Sequence, residues 1–165
     1  MENKISKEIT EQDHKFMKMA CDLALDNISK GGGPFGAVIV KNGEVLSTGA
    51  NSVTLTNDPT AHAEVNAIRN ACKKTNNFKL EGCVVYSSCE PCPMCLSALY
   101  WAGVKKIFYG NTKEDAKEID FDDSFIYDEI DKPYEERYIP CVRMKDTNAL
   151  EAFVAWAKKA DKIKY

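Results

Sequence analysis

The sequence predicts an α/β protein of three layers, with helices on both faces of a central, mixed, five-stranded sheet. Short apolar runs rich in Val and Ile alternate along the chain with longer segments of helical periodicity. Asn42-Gly43 is a strong two-residue hairpin turn, so one strand pair is antiparallel. A length of 165 residues suits one domain with one core.

The first half of the chain contains a helix followed by a β-hairpin. Thr10 and Asp13 bracket a capping-box pattern that predicts the start of the helix, and Gly-Gly-Gly-Pro at 31–34 ends it. Apolar residues inside this segment recur at helical spacing. The run 35–41 predicts a buried strand, and 44–51 is its hairpin partner.

The second half repeats the alternation of helices and strands. Proline beside a polar cap predicts the start of a helix, and glycine or a later proline predicts its end. We expect a helix at 62–74, a strand at 83–87, a helix at 93–101, a strand at 106–110, a helix at 121–130, a strand at 138–145 and a final helix capped by Asn148. Pro140 counts against the last strand, because proline cannot donate to a sheet ladder.

Two short motifs carry the chemistry of the chain. His62-Ala63-Glu64 is followed by Pro91-Cys92-Pro93-Met94-Cys95. One imidazole and two thiols make three soft ligands, and zinc prefers four in tetrahedral geometry, so a water molecule can take the fourth position. Such a water becomes acidic near neutral pH, and Glu64 is placed to take its proton.

Both ligand groups fall at predicted helix starts. The positive end of a helix favours anions, and a metal-binding thiol is a thiolate. Cys92 and Cys95 are three residues apart, so one helical turn brings both sulfur atoms to one side. Glu64 shares the first helical turn with His62 and can face the metal without being a ligand.

Two other interpretations of the cysteine pair stay open on the residues alone. The pair could be half of a structural zinc site that Cys89 or His14 completes. It could also be a redox pair, although a redox pair does not need the upstream His-x-Glu.

Composition bounds the class of substrate. The net charge is -3 and the isoelectric point is about 5.5, which disfavours a surface built for nucleic acid and suits a small neutral substrate. The chain shows no signal peptide and no membrane span, and its seven cysteines are an odd number without disulfide spacing. We therefore expect reduced thiols in the cytoplasm and no membrane partner.

These motifs resemble the cytidine deaminase-like superfamily, whose zinc members that act on nucleobases carry H-x-E and P-C-x-x-C. The similarity covers nearly the whole chain. Four stretches are similar to the purine-acting branch: 33–39, 57–64, 88–95 and 98–102. Residues 121–127 and the terminal Tyr165 are similar more narrowly to the bacterial members that act on guanine.

The resemblance implies a cytidine deaminase-like fold over 1–165 and one zinc ion per subunit, held by His62, Cys92 and Cys95. It implies hydrolysis of guanine to xanthine and ammonia, with Glu64 as proton shuttle. It also implies a homodimer in which a C-terminal segment, about 120–165, is exchanged between subunits.

The substrate contacts are likewise implied by the resemblance: Phe35, Asn51, Ala63, Trp101, Asp123 and Tyr165. Phe35 and Trp101 would line a flat slot, and Asn51 would hydrogen-bond the purine. Asp123 would contact the guanine edge and assist proton transfer, and Tyr165 would close the pocket of the partner subunit. On the residues alone, the two aromatic side chains could equally be core, Asp123 a helix cap and Tyr165 a frayed end.

Three rival functions remain at this point. A tRNA adenosine deaminase would share both metal motifs but needs cationic side chains near its pocket, whereas 121–131 carries five acidic residues. A cytosine, isocytosine or triazine deaminase would run the same chemistry on a smaller ring. A non-catalytic zinc-stabilised interaction module would need a closed, four-ligand site.

Overall fold

The computed structural model describes residues 8–164, and the chain forms two compact units, bounded as Met1–Asp123 and Ser124–Tyr165. We call them the N-terminal and the C-terminal unit. The N-terminal unit contains, in order, α1 (Glu11–Ser29), β1 (Gly36–Lys41), β2 (Glu44–Ala50), α2 (Val53–Thr56), α3 (Ala63–Thr75), β3 (Val84–Cys89), α4 (Pro93–Ala102), β4 (Lys106–Asn111) and α5 (Lys113–Glu118).

The sheet is mixed, as predicted, and its strand order is β2-β1-β3-β4. Strand β1 pairs antiparallel with both β2 and β3, and β3 pairs parallel with β4. The prediction of five strands is wrong, because the described chain has four and 138–145 forms no strand. Pro140 lacks the N–H that a ladder needs, and the side chains of Tyr138, Ile139 and Val142 are exposed, so no buried face drives strand pairing.

Alternating side chains of the central strands pack against helices on both faces, which confirms the three-layer prediction. Ala37 and Ile39 of β1 join a core cluster that includes α3 and α4 residues such as Ala67 and Leu99. The opposite face of β1 joins a second cluster with α1, which includes Phe16 and Tyr86. The sheet is thus buried on both sides at its centre, where β3 ends beside the starts of α3 and α4.

Glycine permits the close approach between β2 and α3 that fixes the position of the latter. A Cβ atom at Gly49 would lie 2.2 Å from the backbone oxygen of Ala63 and 2.5 Å from the backbone nitrogen of Ala67. Any larger residue at this position would push the start of α3 away from the sheet. The hydroxyl of Ser47, on the same strand, donates to the backbone oxygen of Ala67 at 2.8 Å and ties the helix further.

The C-terminal unit consists of α6 (Ser124–Asp131), a short 3-10 helix (Tyr134–Glu136) and α7 (Ala149–Lys158). Its large apolar side chains are exposed, and they include Phe125, Ile139, Val142, Met144, Leu150, Phe153 and Trp156.

Two short helices were not predicted from the sequence. Helix α2 lies where a polar loop was expected, and α5 lies between the fourth strand and the helix expected at 121–130. The helix expected at 121–130 begins instead at Ser124. In the part of the chain that the structure describes, no helix combines the length and apolar character needed to cross a bilayer.

Candidate active site

Three metal-ligating side chains meet at the start of α3 and α4. The Nδ1 atom of His62 lies 3.6 Å from the sulfur of Cys92 and 3.5 Å from the sulfur of Cys95. Among residues 8–164, these three form the one group of His, Cys, Asp or Glu side chains close enough together to hold a metal ion. The sequence prediction of the ligand group is therefore matched by the geometry.

The local structure explains why the ligands converge. His62 is the N-cap residue of α3 and Cys92 is the N-cap residue of α4, and both have extended backbone angles. Pro93 occupies the first turn of α4, where its missing N–H costs nothing, and this places Cys95 in the same turn. One imidazole and two thiol groups thus share the positive ends of two helices, an environment that favours thiolate.

The two thiols influence the acidity of each other. A hydrogen bond from the Cys95 thiol, assisted by His62, lowers the pKa of Cys92 well below that of an ordinary thiol. The same contact and burial raise the pKa of Cys95. The group therefore holds a thiolate at neutral pH, the form in which cysteine binds zinc.

The structure offers no fourth side chain to this group within the described residues. Cys89 lines the same cavity, but its thiol donates to the backbone oxygen of Thr112 at 3.6 Å, and burial raises its pKa to about 11. His14 is exposed on α1. A donor set of one nitrogen and two sulfurs, without a fourth side chain, is the composition of an open zinc site and not of a structural one.

Glu64 is buried in the first turn of α3, two residues beyond His62, and lines the same cavity. The hydroxyl of Ser87 donates to Oε1 of Glu64 at 3.0 Å. Burial raises the pKa of the Glu64 carboxyl, although its own backbone N–H and Ser87 oppose the shift. A raised pKa suits a carboxyl that must accept a proton and then return it.

A cavity of about 390 Å³ opens beside this group. Its size falls at the low end of the roughly 300–1,000 Å³ typical of small-molecule sites. Sixteen residues of the N-terminal unit line it: Gly33, Phe35, Asn51, Val53, Thr54, His62, Glu64, Cys89, Glu90, Cys92, Lys113, Ala116, Asp120, Phe121, Asp122 and Asp123.

Asn51 is buried just beyond the end of β2 and is held by backbone contacts. Its N–H donates to the oxygen of Phe35, and its side-chain Oδ1 accepts from the N–H of Val53 at 3.2 Å. The side-chain nitrogen of Asn27 donates to the backbone oxygens of Asn51 at 2.7 Å and of Gly33 at 2.8 Å. With Oδ1 occupied, the amide nitrogen is the group that Asn51 can offer to a ligand.

Two aromatic rings form one wall of the cavity. The rings of Phe35 and Phe121 meet edge to face, with centroids 5.0 Å apart and planes at 89°. Phe35 follows the glycine-rich stretch before β1, and Phe121 follows α5. A flat ring can pack against such a wall by stacking and edge contacts.

Acidic side chains dominate the remaining wall. Glu90, Asp120, Asp122 and Asp123 join Glu64 there, and Lys113 is the one lysine in the lining. Oδ1 of Asp123 is buried without a hydrogen-bond partner in the described structure. Burial, and then the neighbouring Cys92, raise the pKa of Asp123. A buried carboxylate oxygen without a donor is a position that a ligand N–H would satisfy.

Two of the residues named for substrate contact, Ala63 and Trp101, do not line this cavity. Ala63 is fully buried at the start of α3, and Trp101 lies on α4 with 64% of its surface exposed. Tyr165 lies outside the described residues. Their substrate contacts stay predictions.

Sequence reasoning also missed residues that the structure brings to the site. Phe121 had only served to establish the resemblance, and Glu90, Lys113 and Ser87 had received no role. A polar residue at the end of a run of Val and Tyr was the available signal for Ser87. No local pattern marks Phe121 as a cavity residue, because its contact with Phe35 spans most of the N-terminal unit.

Comparisons with known proteins agree with this geometry. Residues 10–111 match the model of the family described as the cytidine and deoxycytidylate deaminase zinc-binding region. The match spans His62, Glu64, Cys92 and Cys95, and it confirms the prediction of a zinc site.

Two relatives and one solved structure locate the chain within this group. It is 55% identical to a guanine deaminase of Bacillus subtilis over 151 residues, which are 91% of this chain and 97% of the relative. It is 46% identical to a tRNA-specific adenosine deaminase of Aquifex aeolicus over 94 residues, which are 57% of this chain and 62% of the relative. The X-ray structure of the Bacillus subtilis guanine deaminase superposes with a TM-score of 0.90 at 52% identity, covering 95% of this chain and 99% of that one.

Proposed function

The chain belongs to the cytidine and deoxycytidylate deaminase family of zinc-binding proteins, and from that membership we propose that it hydrolyses guanine to xanthine and ammonia. One observation carries the proposal: His62, Cys92 and Glu64 line one cavity with Asp123, whose buried carboxylate oxygen lacks a hydrogen-bond donor. The cavity thus offers metal ligands, a proton carrier and an acceptor for guanine.

Zinc fits the donor set of His62, Cys92 and Cys95, since one imidazole and two thiolates are ligands of zinc in open, catalytic sites. When bound, zinc acts as a Lewis acid that lowers the pKa of a water molecule to near neutrality. The chain itself supplies the proton transfers and the orientation of the base.

Glu64 is the residue to which we assign the proton transfers. Deamination adds water to the carbon that bears the amino group and releases that group as ammonia, so both protons of the water must be moved. Glu64 takes the first proton and passes it to the ring nitrogen, which keeps it in xanthine. It then takes the proton of the added hydroxyl and gives it to the amino group, which leaves as ammonia when the C–N bond breaks and the carbonyl forms. Its burial supports this role, because a raised pKa brings the acid and base forms closer in energy.

The recognition of guanine falls to three elements of the cavity. Phe35 and Phe121 hold the flat ring, and the amide nitrogen of Asn51 donates to an acceptor of the base. Asp123 accepts from the ring N–H beside the amino group of guanine, a donor that adenine lacks. Adenine presents a ring acceptor at the corresponding edge and would leave the carboxylate unsatisfied. The N–H of Ala63, at the first position of α3, lacks an acceptor within its helix and is a further candidate donor.

The acidic wall supports a free base over tRNA as substrate. Five carboxylates line the cavity against one lysine, and phosphate groups are repelled by such a surface. The similarity to the tRNA-specific adenosine deaminase covers 57% of this chain, whereas the similarity to the guanine deaminase covers 91%. The size of the cavity does not distinguish guanine from the smaller cytosine, isocytosine or triazine rings. A substrate panel is needed to distinguish them.

We also propose that two copies of the chain form a homodimer that exchanges the C-terminal segment, about 120–165. The exposed apolar side chains of α7, among them Phe153 and Trp156, support a protein partner. Tyr165 would then reach the site of the partner subunit. Seven free cysteines fit a reducing compartment, and we propose the cytoplasm.

A substrate panel tests the proposed function directly. Purified, zinc-replete protein is incubated with guanine, guanosine, adenine, cytosine and tRNA, and the products are identified. We expect xanthine and ammonia from guanine as the fastest reaction. Turnover of adenine in tRNA or of cytosine, with guanine unchanged, would overturn the proposal.

A further inference from the structure

Ser87 is a buried polar residue in the middle of the sheet. It lies on β3, between Ala37 of β1 and Tyr109 of β4, and only 2% of its surface is exposed. The preceding residues of the strand are valines and a tyrosine. Serine contributes little to strand stability, and its hydroxyl must find a partner once buried, so the position calls for an explanation.

The partner of this hydroxyl is the carboxylate of Glu64. Ser87 donates to Oε1 at 3.0 Å, and both residues are buried. The Cys95 thiol also contacts this carboxyl, but its sulfur belongs to the metal-ligand group. Ser87 is therefore the side-chain donor to Glu64 that a bound metal does not engage.

We propose that Ser87 is a positioning residue that holds Oε1 of Glu64 and leaves Oε2 as the oxygen that exchanges protons. This inference depends on the proposed function, since it assigns a task to Ser87 only if Glu64 carries the proton. A carboxylate that is bound at one oxygen keeps one orientation, and a proton carrier must lie within hydrogen-bond reach of its target. Without the hydroxyl, the side chain of Glu64 would sample other orientations.

Ser47 supplies a matched control. It also lies on a strand, and its hydroxyl also bonds α3, but it bonds the backbone oxygen of Ala67. We expect Ser87→Ala to lower kcat by roughly 10- to 100-fold with KM within about two-fold, because the orientation of a reacting group is lost. Ser47→Ala should leave kcat unchanged. Both variants should keep the zinc content of the wild type.

A pair of equal-sized replacements separates the hydroxyl from packing. Thr and Val have the same shape and both suit strands, but only Thr retains the donor. Ser87→Thr should therefore turn over at least about 10-fold faster than Ser87→Val, even if both are less stable than the wild type. Equal kcat values for this pair would overturn the inference, as would a wild-type kcat in Ser87→Ala.

A double-variant experiment tests whether Ser87 acts through Glu64. In a Glu64→Gln background, Ser87→Ala should change the residual rate by less than about two-fold, since residues that act as a unit are not additive. If Ser87→Ala lowered the residual rate of Glu64→Gln as much as it lowers kcat of the wild type, Ser87 would act on a group other than Glu64. A wild-type protein that does not deaminate guanine would refute the proposed function and this inference together, whereas an active wild type with an unaffected Ser87→Ala would refute this inference alone.

Discussion

The side-chain nitrogen of Asn27 donates a hydrogen bond to the backbone oxygen of Asn51 at 2.7 Å, and this bond ties the end of α1 to the end of β2. The same nitrogen donates to Gly33. A Cβ atom at Gly32 would lie 2.3 Å from it, so glycine is required for the approach. One buried amide thus fixes two residues that line the cavity.

Asn27→Asp should weaken both folding and guanine binding. The replacement keeps the size of the side chain but puts a carboxylate oxygen opposite the backbone oxygens of Gly33 and Asn51. Because both hydrogen bonds are lost, we expect the free energy of unfolding to fall by about 2–4 kcal/mol. Guanine KM should rise, since Asn51 loses its backbone anchor. Urea unfolding and initial rates measure the two effects. Asn70→Asp, which loses one exposed bond to Thr48, should cost less than about 1 kcal/mol, and equal losses would contradict this account.

Asp123→Asn should reduce activity without reducing stability. Guanine donors would face an amide nitrogen, so kcat/KM should fall by at least about 100-fold. The raised pKa of Asp123 means that its charged form opposes folding, a penalty that is absent at low pH and develops as the pH rises through the range of the carboxyl. The thermal midpoint at pH 7 should therefore hold or increase. Asp122→Asn is the control, because it breaks only a partly exposed ion pair with Lys117. It should change kcat/KM and the thermal midpoint little.

Phe121→Leu should weaken guanine binding more than it weakens the fold. A ring contact between Phe121 and guanine is worth about 0.5–1.5 kcal/mol, so its loss should raise KM by roughly 3- to 10-fold while kcat changes less. Phe78→Leu makes the same change at a similarly exposed ring that does not line the cavity. An equal rise in KM for both variants would exclude Phe121 from the site.

The sequence-level predictions succeeded where chemistry is local. The spacing of His62, Cys92 and Cys95, together with helix starts at the first two, was enough to predict a shared metal site, because caps and prolines fix where helices begin. The strand expected at 138–145 failed because a run of apolar residues says nothing of which surface will cover it. Thr112 and Asp115 form a capping box that could have revealed α5.

Contacts between residues that are distant in the sequence could not be predicted from it. The bond between Ser87 and Glu64 joins β3 to α3, and the ring contact of Phe35 with Phe121 joins the start of β1 to the end of α5. Neither pair has a periodic or motif signature. Both follow from how the sheet and helices pack, which single-chain patterns do not encode.

The N-terminal cap of α1 should make stability depend on acid pH. The carboxylate of Asp13 accepts from Tyr86 and Thr10, and although burial alone would raise its pKa, these bonds lower it. A lowered pKa stabilises the fold above about pH 4, and the contribution is lost as the pH falls through the folded value.

The measurement that checks this is urea unfolding of Asp13→Asn and the wild type at pH 7, 5 and 3. The difference in unfolding free energy should be greatest at pH 7 and should shrink at the lowest pH. Asp22→Asn removes only an exposed pair with Lys18 and should show a small difference throughout. A difference for Asp13→Asn that grows towards low pH would contradict the assigned role.

Glu64→Gln tests the central claim, that one buried carboxylate beside a three-ligand zinc site carries the protons of deamination. The replacement has the same size but cannot accept a proton, and Glu90→Gln changes a second carboxylate of the same cavity as a control. We predict about one zinc per chain in both variants, a decrease in guanine turnover of roughly 10²- to 10⁴-fold for Glu64→Gln, and less than about 10-fold for Glu90→Gln. Wild-type turnover by zinc-loaded Glu64→Gln would contradict the account.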